Sequence, residues 1–242
     1  MCKKKSQRKK MILKNKIARI AGALYLIYMI VFALADATRS KLIHMEDASA
    51  TFINIQTSGG YFKIGLVSDI IAGILFLLAV WTLYVLLRSV NQNVALLFLL
   101  LNAAGVTIQC LNTLNLYAIF LLSRGSEYLK DFQPDQLQAM AMYFIHLHES
   151  GFMISQFFFS AWLFPLGYVV YKSGFLPRIL GIVLMAECFG WFLYPLQYFL
   201  FPSTMIVTIS STIGFIGEFS LTLWLLVKGV NQSKPALAEI DQ

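Results

Sequence analysis

Six stretches of mainly apolar residues punctuate the chain, at 17–35, 64–87, 94–122, 149–171, 179–200 and 204–227. Each is close to the roughly 20 residues a helix needs to cross a hydrocarbon core at about 1.5 Å per residue. None shows the short, strictly alternating pattern of a membrane barrel strand, so all six are expected to be helices. The fourth is expected to begin earlier, near Pro134 or Asp135, as a helix rising out of the membrane. Pro165 should kink it, and Gly174 with Pro177 should end the loop that follows. In the long connection at 38–62, Asp47 stands where an N-cap would precede a short interfacial helix at 48–55. The predicted fold is therefore all-α: a basic tail at 1–16, one six-helix bundle at 17–228 and a second tail at 229–242.

Composition supports the membrane reading. The AVILMFWYC set makes up 58% of the 242 residues, charged residues make up 13%, and mean hydropathy is +0.70. Soluble domains run at about 45–50% apolar and about 25% charged. That difference excludes a disordered chain, a secreted disulfide scaffold and an ordinary cytosolic enzyme. Three cysteines without a CxxC spacing give no disulfide or zinc framework.

Charge supplies an orientation. The net charge of +7 is concentrated in Lys3, Lys4, Lys5, Arg8, Lys9, Lys10, Lys14 and Lys16, with no acid among them. A basic block directly before an apolar run signals topology and attraction to anionic headgroups, not nucleic-acid binding. With the N-terminus inside, fourteen of the nineteen Lys/Arg fall on the inner side. Arg39, Lys41, Lys63, Arg124 and Lys130 fall outside. The positive-inside rule then places both termini in the cytoplasm of a cell-membrane protein. Ala33-Leu34-Ala35 is like a signal-peptidase site, but the long apolar run and the five spans after it favour a retained first helix.

Several segments resemble a family of bacterial multi-pass membrane proteins, domain-of-unknown-function family 4386. The first is Arg19-Ile20-Ala21-Gly22 with Leu24-Tyr25-Leu26. The second runs from Asp47-Ala48 through Ile53-Asn54-Ile55 to Phe62-Lys63-Ile64-Gly65 and Asp69. The most specific is Ala161-Trp162-Leu163-Phe164-Pro165-Leu166-Gly167-Tyr168, continued by Tyr171 to Arg178 and Leu180-Gly181. Gly217-Glu218 with the segment from Leu223 to Gly229 completes the set. The resemblance implies an integral membrane protein and supplies no activity, cofactor or catalytic residue. Glu187 lies outside the family pattern, so any role for it rests on this sequence.

Acids inside apolar spans are costly, so each asks for a partner or a task. Four qualify, Asp69, Glu149, Glu187 and Glu218, and no Lys or Arg lies deep in any predicted span to neutralise them. Counting from the charged span ends, Asn102, Glu187 and Glu218 fall about 12–15 Å from the cytoplasmic edge and form an inner polar layer. Glu218 continues a helical-repeat stripe through Thr208, Ser211, Gly214 and Thr222. The inner layer reads either as a protonatable or cation-binding centre or as neutral, hydrogen-bonded helix glue. Glue is preferred for Glu187, and the two readings stand level for Glu218.

An outer layer combines Asp69, Gln109, Asn112, His146 and Glu149, with Thr113 at the same height. Asn102, Gly105, Gln109 and Asn112 recur at spacings of three and four, so they share an inward face. His146 and Glu149 also share a face, whereas His148 points nearly the other way. A metal-dependent hydrolase would use His146, Glu149 and Asp69 around a metal-bound water, but three histidines in the whole chain are few for that chemistry. No nucleotide, hydrolase or zincin motif is present. Three function classes remain: small-molecule or ion binding or transport through a polar interior, an intramembrane metal-dependent hydrolase, and a non-catalytic scaffold. The first is favoured over catalysis. The catalytic residues, cofactor and oligomeric state are not specified by the sequence.

Overall fold

The computed structural model describes residues 2–230, leaving out the side chains of residues 2–9, 211–213 and 215. The tail at 231–242, with Lys234, therefore lies outside the described residues, as do the side chains of Ser211 and of Lys3, Lys4, Lys5, Arg8 and Lys9. Eight α-helices cover nearly all of the described chain, and no strand occurs among these residues. In order they are α1 (Cys2–Leu42), α2 (Ala48–Thr57), α3 (Gly59–Leu87), α4 (Gln92–Ser123), α5 (Pro134–Ala161), α6 (Leu163–Lys172), α7 (Arg178–Leu200) and α8 (Thr204–Val227). Five helical segments are long and apolar enough to cross a membrane: Lys10–Leu42, Gly59–Leu87, Gln92–Ser123, Pro134–Lys172 and Arg178–Leu200. In α8 the described apolar stretch is shorter, Ile216–Val227.

Local chemistry accounts for most of the boundaries. The Asp47 side chain accepts a hydrogen bond from the Ala50 amide at 2.8 Å, which starts α2 where the sequence places it. Pro134 occupies the first position of α5, where a missing N–H costs nothing. The kink expected from Pro165 appears as the break between α5 and α6 at Trp162. A proline ring crowds the carbonyl four residues earlier, here Ala161, the last residue of α5. Pro195, in contrast, sits within α7 without ending it. Gly174, at φ 70°, turns the chain between α6 and α7.

The one large departure from the predicted elements is α1, which is 41 residues long. It extends back into the basic tail, runs unbroken through Ala33–Ala35, and ends seven residues beyond position 35. Hydropathy falls at Asp36 and Arg39, but nothing there breaks a helix, so the backbone continues while the side chains turn polar.

Contacts group the chain into two compact units. The first contains α1 up to Leu26, Leu75–Gly105 and the described chain from Ser155 to Val230; the second contains Ile27–Ile74 and Val106–Ile154. In the first, Trp162 is 1% exposed and packs edge-on against Phe76 and Phe98, so the residue at the helix break is also a core anchor. There α7 packs against α6 and α8. Gly167 of α6 and Gly181 of α7 meet so closely that a Cβ on Gly167 would lie 2.7 Å from the Gly181 carbonyl oxygen. A Cβ on Gly181 would lie 2.6 Å from the Gly167 carbonyl oxygen. Small residues at such a crossing let two backbones approach where lipid provides no hydrophobic drive. In the second unit, Leu42, Phe52, Ile55, Phe62, Leu116 and Ile119 form the heart of an apolar cluster beneath α2.

Candidate functional site

The outer-layer residues all belong to the second unit, but they do not converge on one centre. Asp69, on α3, is buried and bonded to the Arg39 guanidinium, which also reaches the exposed Asp36 carboxylate at 3.4 Å. This corrects the expectation that no cation neutralises Asp69. The added turns of α1 carry Arg39 to it, although Arg39 counts as a loop charge when the helix is ended at residue 35. Asp69 Oδ1 is sealed and has no hydrogen-bond partner.

Asn112 and His148 tie α4 to α5 reciprocally. Asn112 Nδ2 donates to the His148 carbonyl at 2.8 Å, and His148 Nδ1 donates to the Asn112 carbonyl at 3.3 Å. Asn115 fills the remaining Asn112 oxygen at 2.9 Å. The Gln109 carbonyl accepts from the Thr113 hydroxyl at 3.2 Å. Asn102, Gly105, Gln109 and Asn112 are all buried, as a common inward face requires.

His146 and Glu149 do share a face of α5, with Nδ1 and Oε2 3.5 Å apart, but both side chains are largely exposed, at 58% and 42%. His148 is buried on the other side. Among the described residues no group of three or more His, Cys, Asp or Glu could hold a metal ion. The centre needed by the hydrolase reading, Asp69 with His146 and Glu149, is not formed. Asp69 is committed to Arg39, and the other two face outward.

The inner layer has a different character. Glu187 on α7 is 0% exposed, and neither carboxyl oxygen makes a hydrogen bond. It lies against Gly217 of α8, where a Cβ would collide with Oε2, so the glycine makes room for the acid. The next residue on α8, Glu218, is near enough to interact electrostatically with Glu187. The Trp191 indole and the Glu218 backbone amide are the nearest donors to Glu187, and neither closes a bond of normal geometry. Glu218 accepts a hydrogen bond across helices, from the Tyr25 hydroxyl of α1. Glu187 is left as a buried polar group without a partner, a state costing about 1–3 kcal/mol or more. Asn102, also 0% exposed, bonds to neither acid, and its amide oxygen and nitrogen both lack partners.

Tyr25, Gly217 and Arg39 escape sequence-level selection as site residues. An aromatic in an apolar run and a glycine in a helix are ordinary in a membrane span, and only packing reveals what each one faces. Thr208 and Gly214 remain on α8, Gly214 against the Trp191 ring, and the Thr222 hydroxyl bonds back to the Glu218 carbonyl at 2.8 Å.

Comparison with known proteins assigns no chemistry to this site. An uncharacterized protein of Archaeoglobus fulgidus is 30% identical over 147 residues, which is 61% of this chain and 72% of that protein. No solved structure matches the chain. The family model described as domain of unknown function (DUF4386) matches residues 20–229. That span takes in every helix from within α1 to the end of α8, including the Gly167–Gly181 crossing and the Glu187–Glu218 pair, and the chain belongs to this family.

Proposed function

We propose that the chain is a six-span protein of the cell membrane with both ends in the cytoplasm. In this reading it binds or carries a small ion or molecule at a polar centre built on Glu187 and Glu218. The observation that carries the proposal is the state of Glu187: fully buried, beside a second carboxyl, with neither oxygen in a hydrogen bond. A purely structural acid is expected to be satisfied by its neighbours, whereas an acid that takes up and releases a ligand must spend part of its cycle unsatisfied.

The sixth crossing is supported by α8, whose 24 residues reach about 36 Å as a helix. The orientation is supported by the division of fourteen inner and five outer basic residues. Lys10, Lys14 and Lys16, with the basic residues before them, would rest on anionic headgroups. A scaffold is the second reading, favoured by the Asn112–His148 and Tyr25–Glu218 bonds, which join helices without requiring any ligand.

Purification from native membranes, followed by mass spectrometry of bound small molecules and elemental analysis, separates the two readings. Binding or transport predicts a bound species, or for a proton a flux into proteoliposomes read with a pH-sensitive dye, present in the wild type and lost in Glu218→Gln prepared in parallel. A variant that differs from the wild type only in stability, with identical bound content and identical proton flux, would support the scaffold instead.

A further inference from the structure

We infer that the ion held between α7 and α8 is a single proton resident on Glu187, with Glu218 kept by Tyr25 as its charge-bearing partner. This rests on the reading of the pair as an ion centre and names the ion. The two carboxyls differ in what they are given. Glu218 receives the Tyr25 hydroxyl, a donor that favours a carboxylate. Glu187 makes no hydrogen bond of normal geometry with the Trp191 and Glu218 N–H groups beside it, is buried from water, and forms no ion pair with any described Lys or Arg. A negative charge there would have no cation and no well-formed hydrogen bond to hold it, and a second negative charge on Glu218 would oppose it. A proton on Glu187 removes both problems.

A metal cation is a poorer occupant. Hard cations such as calcium or magnesium take about six or more oxygen ligands. What surrounds the Glu187 carboxyl is Gly217, which also faces Val183, together with the Trp191 indole, a donor only. The titratable groups turned toward the centre are Glu218 from α8 and, through it, Tyr25 from α1. Cys188, next to Glu187 on α7, interacts with the Phe164 backbone of α6 instead. Exchange is then a plain proton transfer. The Glu187 O–H bond breaks, the proton passes to the part-buried Glu218 carboxylate and from it to water, and a carboxylate remains on Glu187 until a proton returns by the same route.

Infrared difference spectroscopy on the full-length protein in nanodiscs reads this directly, since a protonated carboxyl has its own C=O band that shifts in heavy water. The wild type should show one such buried band that exchanges with solvent, titrates with pH and is indifferent to added sodium or calcium. The band should vanish in Glu187→Gln and persist in Glu218→Gln. Tyr25→Phe, which removes the donor but keeps the ring, should add a second band as Glu218 loses its support; this arm does not depend on Glu187→Gln folding. No band in the wild type, or loss of the band in Glu218→Gln in place of Glu187→Gln, overturns the inference. Loss of the band on adding a metal cation overturns the proton while leaving an ion centre intact. A band that never exchanges sinks the ion-centre reading as well.

Discussion

Gly181→Ala will cost the protein more stability than any other single-methyl addition at a described helical glycine with room to compare, and Gly181→Leu will prevent recovery of folded protein. The added Cβ would lie 2.6 Å from both the Gly167 carbonyl oxygen and the Tyr171 amide nitrogen, atoms of the facing backbone that cannot rotate aside. Overpacking typically costs about 1–3 kcal/mol when side chains can give way. Here whole helices must separate, so the upper end of that range or beyond is expected. Gly60→Ala is the matched control, because nothing lies within 4 Å of its Cβ position. Alanine there should be neutral or slightly stabilising. Thermal unfolding in one detergent compares the two, and equal midpoints would show that α6 and α7 do not cross at Gly167 and Gly181.

Arg39→Ala comes next in expected effect. It strips Asp69 of its cation while one carboxyl oxygen is already unpartnered and the side chain is only 2% exposed. Removing one member of a buried ion pair costs about 3–5 kcal/mol, whereas replacing both members with apolar residues is often neutral. The double variant Arg39→Met with Asp69→Leu should therefore be more stable than Arg39→Ala alone. If the single losses simply add in the double variant, Arg39 and Asp69 are not coupled and the ion pair is not formed in the membrane protein.

These two cases show where the sequence was informative and where it was not. Periodicity, caps and proline positions are local signals, so the start of α2 at Asp47, the start of α5 at Pro134 and the disturbance ahead of Pro165 were legible from neighbouring residues. The end of α1 was not. Hydropathy marks where a side chain prefers water, not where hydrogen bonding along a helix stops, and the two differ by about two turns after residue 35. The partner of Asp69 was missed for that reason.

Candidate residues are picked out by their cost in a membrane, and of these Glu187 is buried and Glu218 part-buried. Their partners carry no such cost. Tyr25 and Gly217 are unremarkable until α1 and α7 are seen against α8. The outer histidine and acid residues looked like one cluster because depth along a helix was counted without its azimuth relative to other helices. Contacts resolve them into an Arg39–Asp69 pair, an Asn112–His148 tie and an exposed His146–Glu149 pair.

The proposed orientation, with both ends in the cytoplasm, presupposes an even number of crossings, and α8 decides that number. Labelling with a membrane-impermeant thiol reagent on intact cells tests it most directly, using Cys2 for one end, Ser233→Cys for the other and Glu127→Cys for the connection between α4 and α5. Six crossings with a cytoplasmic start predict that Glu127→Cys reacts at once, while both ends react only after the membrane is permeabilised. Reaction of either end on intact cells, above all at position 233 with Cys2 still protected, would contradict it.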